Sequence, residues 1–394
     1  MDDTISKSRI AKRHVLHFPG FEPLDATQHR ERYTHTVAKA AELWDFETNV
    51  APIGMDNGIA RFTVDSRGQG WHTASHIHVF DHDWLVEKLA NRSLFGRFVH
   101  GYKSAARVVM EGGAAGYMKH GWRFGLFFVF PFLIVALALA ASLGIATYPF
   151  WFELPLWHFP IGLVLAWLFF MKLFLPWSEK YHVLHLFSDW EMAVAVAALD
   201  RADVRDWLEQ CAAHAKSVFE DDADEYLVSS HSMGSSAAVH VIGMLLERDP
   251  HLLDGKRVVF ATLGGAILQC ALLKSAKLLR ARTGMIAHAA SIKWFEVQCL
   301  TDAVNFYKSR TASILGHADA PQPVIRLIRI KNMLTPERYR RIKWDMLRVH
   351  RQYVLASDKQ TTFDFSLMTA GPLPAIQFAS PPREGLPELA AEGL

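Results

Sequence analysis

Cysteine is the first scarcity. Three residues in 394, Cys211, Cys270 and Cys299, lie far apart. They offer neither a disulfide framework nor the paired spacing of a zinc site, and so odd and sparse a count fits a reducing compartment. A surplus of one charge is also missing. The formal net charge is +2, too small for a chain whose main partner is nucleic acid, since phosphate recognition calls for a strongly basic face. There is no internal repeat. An apolar leader is lacking too: Met1–Arg13 is polar and is followed only by a short strand-like run, so no signal peptide is expected.

Charge is absent from two long stretches. Phe124–Ala146 is 23 residues without a charged side chain, enough to cross a hydrocarbon layer about 30 Å thick as a helix. Leu156–Leu175 is a second such run, interrupted only by His158 and Lys172. Pro131 and Pro160 fall inside the runs, where membrane helices tolerate proline, and Trp122, Tyr148, Trp151, Trp157 and Trp177 fall at their edges like an aromatic belt. The competing reading is a pair of buried helices in a large soluble core. The loop 147–155 has no Lys or Arg, whereas Lys119, Arg123, Lys172 and Lys180 flank the outer ends. The positive-inside rule then puts both ends in the cytoplasm. The expectation is a multi-pass inner-membrane protein with a two-helix hairpin at 122–177 set into a cytoplasmic domain.

Outside the hairpin, strand-like and helix-like segments alternate. His14–Phe18 reads as a strand closed by the turn Pro19-Gly20, and a helix follows from Asp25, its N-cap, to Leu43. Ile59–Asp65 reads as a strand, and His76–Phe80 as a continuation of the sheet edge. Residues 84–121 read as helices at the membrane surface. Beyond the hairpin come a helix at Arg205–Phe219, strands at Arg257–Leu263 and Ile292–Leu300, and a basic, partly helical stretch at Thr335–Arg351. The alternation predicts a mainly parallel sheet covered by helices on both faces. The expected parts are an N-terminal portion of the α/β domain with interfacial helices (1–121), the hairpin (122–177), the C-terminal portion (178–370) and a loosely ordered Pro-rich tail (371–394).

The segment Glu225–Leu246 carries the chemistry. An apolar strand runs into a tight turn holding Ser232. A helix then begins, with Gly234, Ala237, Ala238, Val241, Ile242 and Leu245 at the spacing of one helical face. Such a turn exposes the hydroxyl at the sheet edge and aims a helix N-terminus at it, where an oxyanion is favoured. A serine needs a base, and the base needs a partner that fixes its tautomer. Asp302 follows the strand ending at Leu300, and His350 lies further downstream. Each has a plainer role open to it: Ser232 and Asp302 as helix caps, His350 as one of 20 histidines on a basic helix. His288 and His317 rival the base, and Asp319 and Asp358 rival the acid.

With Ser230-His-Ser-Met-Gly234 as nucleophile elbow and the order Ser232, Asp302, His350, the chain resembles the α/β-hydrolase superfamily of lipases and esterases. It is also similar to uncharacterised bacterial membrane proteins with a lipase-like domain. The resemblance covers roughly residues 10–65 and 200–360. It implies an oxyanion hole from the Met233 amide and an amide of Gly20 or Phe21, no cofactor, and an acyl ester substrate, favoured to be a lipid because of the anchor. One departure is Ser230, where the motif has glycine. The resemblance leaves oligomeric state open. A fold kept only as a membrane scaffold is the second hypothesis. A metal-assisted hydrolase is the third, using the cluster His72, His76, His78, Asp81, His82 and Asp83. Gly112–Gly116 lacks the strand and the lysine of a phosphate loop and reads as a turn before the membrane. Lys7, Arg9, Lys12 and Arg13 are candidates for contact with anionic headgroups.

Overall fold

A computed structural model describes residues 9–56 and 58–381. Nine strands form one sheet: β1 (Lys12–Phe18), β2 (Glu47–Val50), β3 (Gly54–Asp56), β4 (Ile59–Gly68), β5 (Trp71–Val79), β6 (Glu225–His231), β7 (Val258–Leu263), β8 (Ile292–Cys299) and β9 (Val324–Ile328). Their order is β2-β4-β5-β1-β6-β7-β8-β9, with β3 also paired to β4. From β5 to β9 every pairing is parallel, while β2, β3 and β4 form an antiparallel flank. The central strands β6 and β7 are buried at every position, the pattern of a strand covered on both faces. Along β1 the alternation of side chains divides the core. Val15 joins the cluster beneath helix Ala26–Trp44 and the C-terminal segments, while Leu16 and Phe18 face the helices on the other side.

Asp25 caps its helix as expected. Its carboxylate accepts from the Gln28 N–H at 2.8 Å and the Gln28 side chain accepts from the Asp25 N–H at 3.0 Å, a reciprocal capping box. Three other expectations need correction. His76–Val79 is not an edge, because β5 lies between β4 and β1. Arg13 does not face headgroups: it is fully buried, 2.7 Å from Glu225, and donates to the carbonyls of Gly371 and Leu373. The same pair orders the Pro-rich stretch that composition suggests is loose. Glu225 accepts from the Ala375 N–H, and Leu373, Ala375 and Phe378 are buried. The rest of that tail, and Lys7, lie outside the described residues.

Two helices, Trp122–Ala146 and His158–Glu179, are long and apolar enough to cross a membrane. They lie side by side, and the second contains a π-helical stretch at Phe169–Phe174. The first is rooted in the body of the protein. Phe124 packs on Phe306 with ring centroids 4.3 Å apart, and Phe128 meets Trp190 edge-on at 4.7 Å. Further along, Leu133, Leu137 and Leu143 are exposed, as are Leu163, Val164 and Trp167 on the second helix. So large a contiguous apolar surface needs a lipid or protein cover.

Candidate active site

Because β1, β6, β7, β8 and β9 run parallel, the loops leaving their carboxyl ends gather at one edge of the sheet, where open α/β sheets place their sites. Ser232 leaves β6 with φ +53°, a left-handed conformation costly for a residue with a Cβ and of the kind that holds a side chain clear of a turn. Backbone bonds impose it. The Ser232 N–H donates to Leu263 at 3.2 Å, and its carbonyl accepts from Ser235 and Ala266 at 3.1 Å each. Helix Gly234–Arg248 begins two residues later and is buried from Gly234 to Leu246, so the single apolar face read from sequence understates how deeply it sits.

The motif's two small positions have separate physical causes. At Gly234, a Cβ would lie 2.2 Å from the Pro19 carbonyl oxygen and 2.4 Å from that of Phe18. Both atoms are backbone, so only glycine fits. Ser230, the departure from the motif, is fully buried, yet its hydroxyl has partners: Ser235 Oγ at 3.1 Å and the Ala261 carbonyl at 3.4 Å. A serine there is therefore no defect.

His350 sits on helix Met346–Arg351, which follows the last strand and is capped by Asp345. Its Nδ1 is 2.8 Å from Asp302 Oδ2. That oxygen also accepts from the Tyr353 hydroxyl at 3.0 Å, and Oδ1 accepts from the Val304 N–H at 2.9 Å. Asn305 extends the chain, donating to Tyr353 Oη at 2.8 Å. Asp302, Asn305, His350 and Tyr353 are all buried. With Nδ1–H committed to the carboxylate, the neutral imidazole presents Nε2 as acceptor. Nε2 is buried and, among the described residues, bonded to nothing.

Ser232, His350, Gly20 and Phe21 line one cavity of about 280 Å³. Asp302 stands behind His350, and Met233 flanks the helix start as its N-cap residue. Neither the Met233 nor the Phe21 N–H makes a hydrogen bond among the described residues, so both are available as donors. The Gly20 backbone abuts Ser232: a Cβ there would come within 3.1 Å of Ser232 Cβ. The rivals are elsewhere. His288 pairs with Asp319 at the surface, His317 faces the Arg280 carbonyl, and Asp358 is held by Arg338.

Several lining or supporting groups escape a sequence reading. His231, the residue before Ser232, donates from Nε2 to the His350 carbonyl at 3.1 Å. Burial, with His350 adding to it, pushes the His231 imidazole down to about 3, so it is neutral. Burial alone would raise the Glu22 carboxyl, but the Arg32 guanidinium, at 2.5 Å, holds it down at about 2. Asp189, on helix Val183–Ala198, is raised by burial to about 6 and accepts from Gln269 at 2.9 Å. His185 Nε2 donates to the Phe21 carbonyl at 3.0 Å.

No family model matches the chain, and neither a curated protein nor a solved structure does. The site therefore rests on its own geometry. The histidine cluster does not converge as ligands would. His76 bonds Thr63, His72 pairs with Asp65, and His78 lies between His14 at 3.2 Å and His214 at 2.9 Å. Among the described residues no three His, Cys, Asp or Glu side chains form a group suited to a metal.

Proposed function

We propose that the chain is a serine hydrolase of the α/β-hydrolase type, anchored in the inner membrane by its hairpin with the catalytic domain on the cytoplasmic side, and that it cleaves an acyl ester. The observation that carries this reading is the strained Ser232 sharing a cavity with His350, whose Nδ1 is fixed by a buried Asp302. Ser232 Oγ attacks the ester carbonyl carbon as its proton passes to His350 Nε2. The imidazolium, steadied by Asp302, returns that proton to the departing alkoxide, and the alcohol leaves. Water then repeats the sequence on the acyl-enzyme, releasing the acid and restoring Ser232. The Met233 and Phe21 amides receive the oxyanion, worth about 3 kcal/mol per donor.

The hairpin supports the membrane part of the reading: it has two helices of spanning length, with basic residues flanking its outer ends and none in its turn. One observation favours a second reading, a non-catalytic scaffold, namely the unbonded His350 Nε2. Catalytic hydrogen bonds are often long before substrate arrives, so a chemical test decides. Detergent-solubilised protein is treated with a fluorophosphonate probe beside Ser232→Ala. The hydrolase reading expects labelling that disappears in the variant; a folded wild type that takes no label leaves the scaffold.

A further inference from the structure

Glu22, Asp189 and Arg351 line the cavity; Glu22 is paired with Arg32, and Asp189 accepts from Gln269. Among the described residues the Arg351 guanidinium has no hydrogen bond and no ion pair. Its charge is felt at Glu22, which it helps hold ionised, and at His182 and His185, which it helps keep neutral. An arginine fork beside an apolar wall is expensive to leave dry and suited to a planar or tetrahedral anion. Phe127, Leu186, Val304 and Leu347 make one part of the wall apolar. Leu347 sits one turn before Arg351 on the helix that bears His350.

We propose that Arg351 is a substrate-binding residue that receives a phosphate or carboxylate on the alcohol side of the scissile ester, while the acyl chain lies against the apolar wall. The inference rests on the hydrolase reading and narrows its substrate class to anionic acyl esters. The anion could belong to a lipid headgroup or to a soluble ester, and the two sources separate by chain length.

The test measures how strongly competitors slow fluorophosphonate labelling of Ser232 in neutral detergent. Palmitoyl-lysophosphatidate is compared with monopalmitoylglycerol, and dibutyrylglycerol phosphate with dibutyrylglycerol. The wild type should favour the anionic member. Arg351→Gln should reduce that preference on the order of 30-fold, the loss expected for a hydrogen bond between charged groups, and Arg351→Lys should restore part of it. A preference in the long-chain pair alone makes the ligand a membrane lipid; one in both pairs extends it to soluble esters. Equal preference in wild type, or a preference unchanged in Arg351→Gln, overturns the anion site while leaving the hydrolase intact. Folded wild type that takes no label removes the hydrolase reading, and this proposal with it.

Discussion

Asp302→Asn separates the chemistry from the scaffold most sharply. The carboxylate accepts three hydrogen bonds: His350 Nδ1–H and Tyr353 O–H at Oδ2, and the Val304 N–H at Oδ1. An asparagine has one acceptor oxygen. If that oxygen stays with Val304, the amide nitrogen faces Nδ1 and the imidazole must carry its proton on Nε2, which then cannot take one from Ser232. If the oxygen turns to His350 instead, an amide N–H confronts the Val304 N–H. Fixing the wrong tautomer costs about 10⁴ in rate in a Ser-His-Asp system, about 5 kcal/mol of transition-state stabilisation. The fold should lose less, about 1–3 kcal/mol for one mismatched buried group. The assay is the second-order rate of fluorophosphonate labelling, with thermal unfolding in the same detergent as control. A variant that unfolds near the wild-type temperature yet labels about 10⁴ times more slowly supports the argument. Labelling within threefold of wild type refutes it, because Asp302 would then be only a turn residue.

The close approach at Gly234 makes Gly234→Ala destabilising although alanine is the better helix former by about 1 kcal/mol. The new methyl meets two backbone oxygens that cannot rotate away, so overpacking of about 1–3 kcal/mol should win and appear as a lower unfolding temperature; an unchanged or raised one contradicts it. Glu22 predicts a pH dependence. Its folded value of about 2 lies below the ordinary 4.5, so its contribution is present above pH 4.5 and is lost as pH falls through 2. Two and a half units correspond to about 3 kcal/mol. Glu22→Gln should therefore lower stability near neutrality, with the gap to wild type closing towards pH 2; a gap constant with pH would argue against an ionised Glu22.

Strands with continuous apolar runs were legible because full burial on two faces leaves no other composition, and the elbow was legible because its steric demand falls on adjacent residues. Asp302 and His350 could be named from chain order, but the preference for His350 over His288 or His317 depends on which loops meet at the sheet edge. Arg13 defeated a local reading altogether. Its partner Glu225 is 212 residues away, and without that pairing a cation near the N-terminus reads as exposed. The ordering of 371–381 failed with it, since that segment is tied down by the same two side chains. His231, Tyr353 and Asn305 act through hydrogen bonds that span 119, 51 and 48 residues, and no period or spacing announces such contacts.

The hairpin's relation to the site was hidden for the same reason, and it has a consequence that can be measured. Phe127, near the root of the first apolar helix, lines the cavity, and so do His182 and His185, which follow the second. The His185 bond to the Phe21 carbonyl therefore ties the chain leaving the hairpin to the loop whose Phe21 amide is the proposed oxyanion donor. Burial lowers the His185 imidazole to about 4, so it is a neutral donor and the tie persists at physiological pH. Loss of one neutral hydrogen bond costs about 1 kcal/mol, enough to let the Phe21 amide drift from a position where each donor is worth about 3 kcal/mol to the transition state. His185→Ala should thus slow Ser232 labelling about 5- to 100-fold while the protein still resists carbonate extraction from membranes, and His185→Gln, which keeps an N–H near the carbonyl, should recover much of the rate. If labelling by His185→Ala matches wild type, the tie through His185 does not position the Phe21 amide.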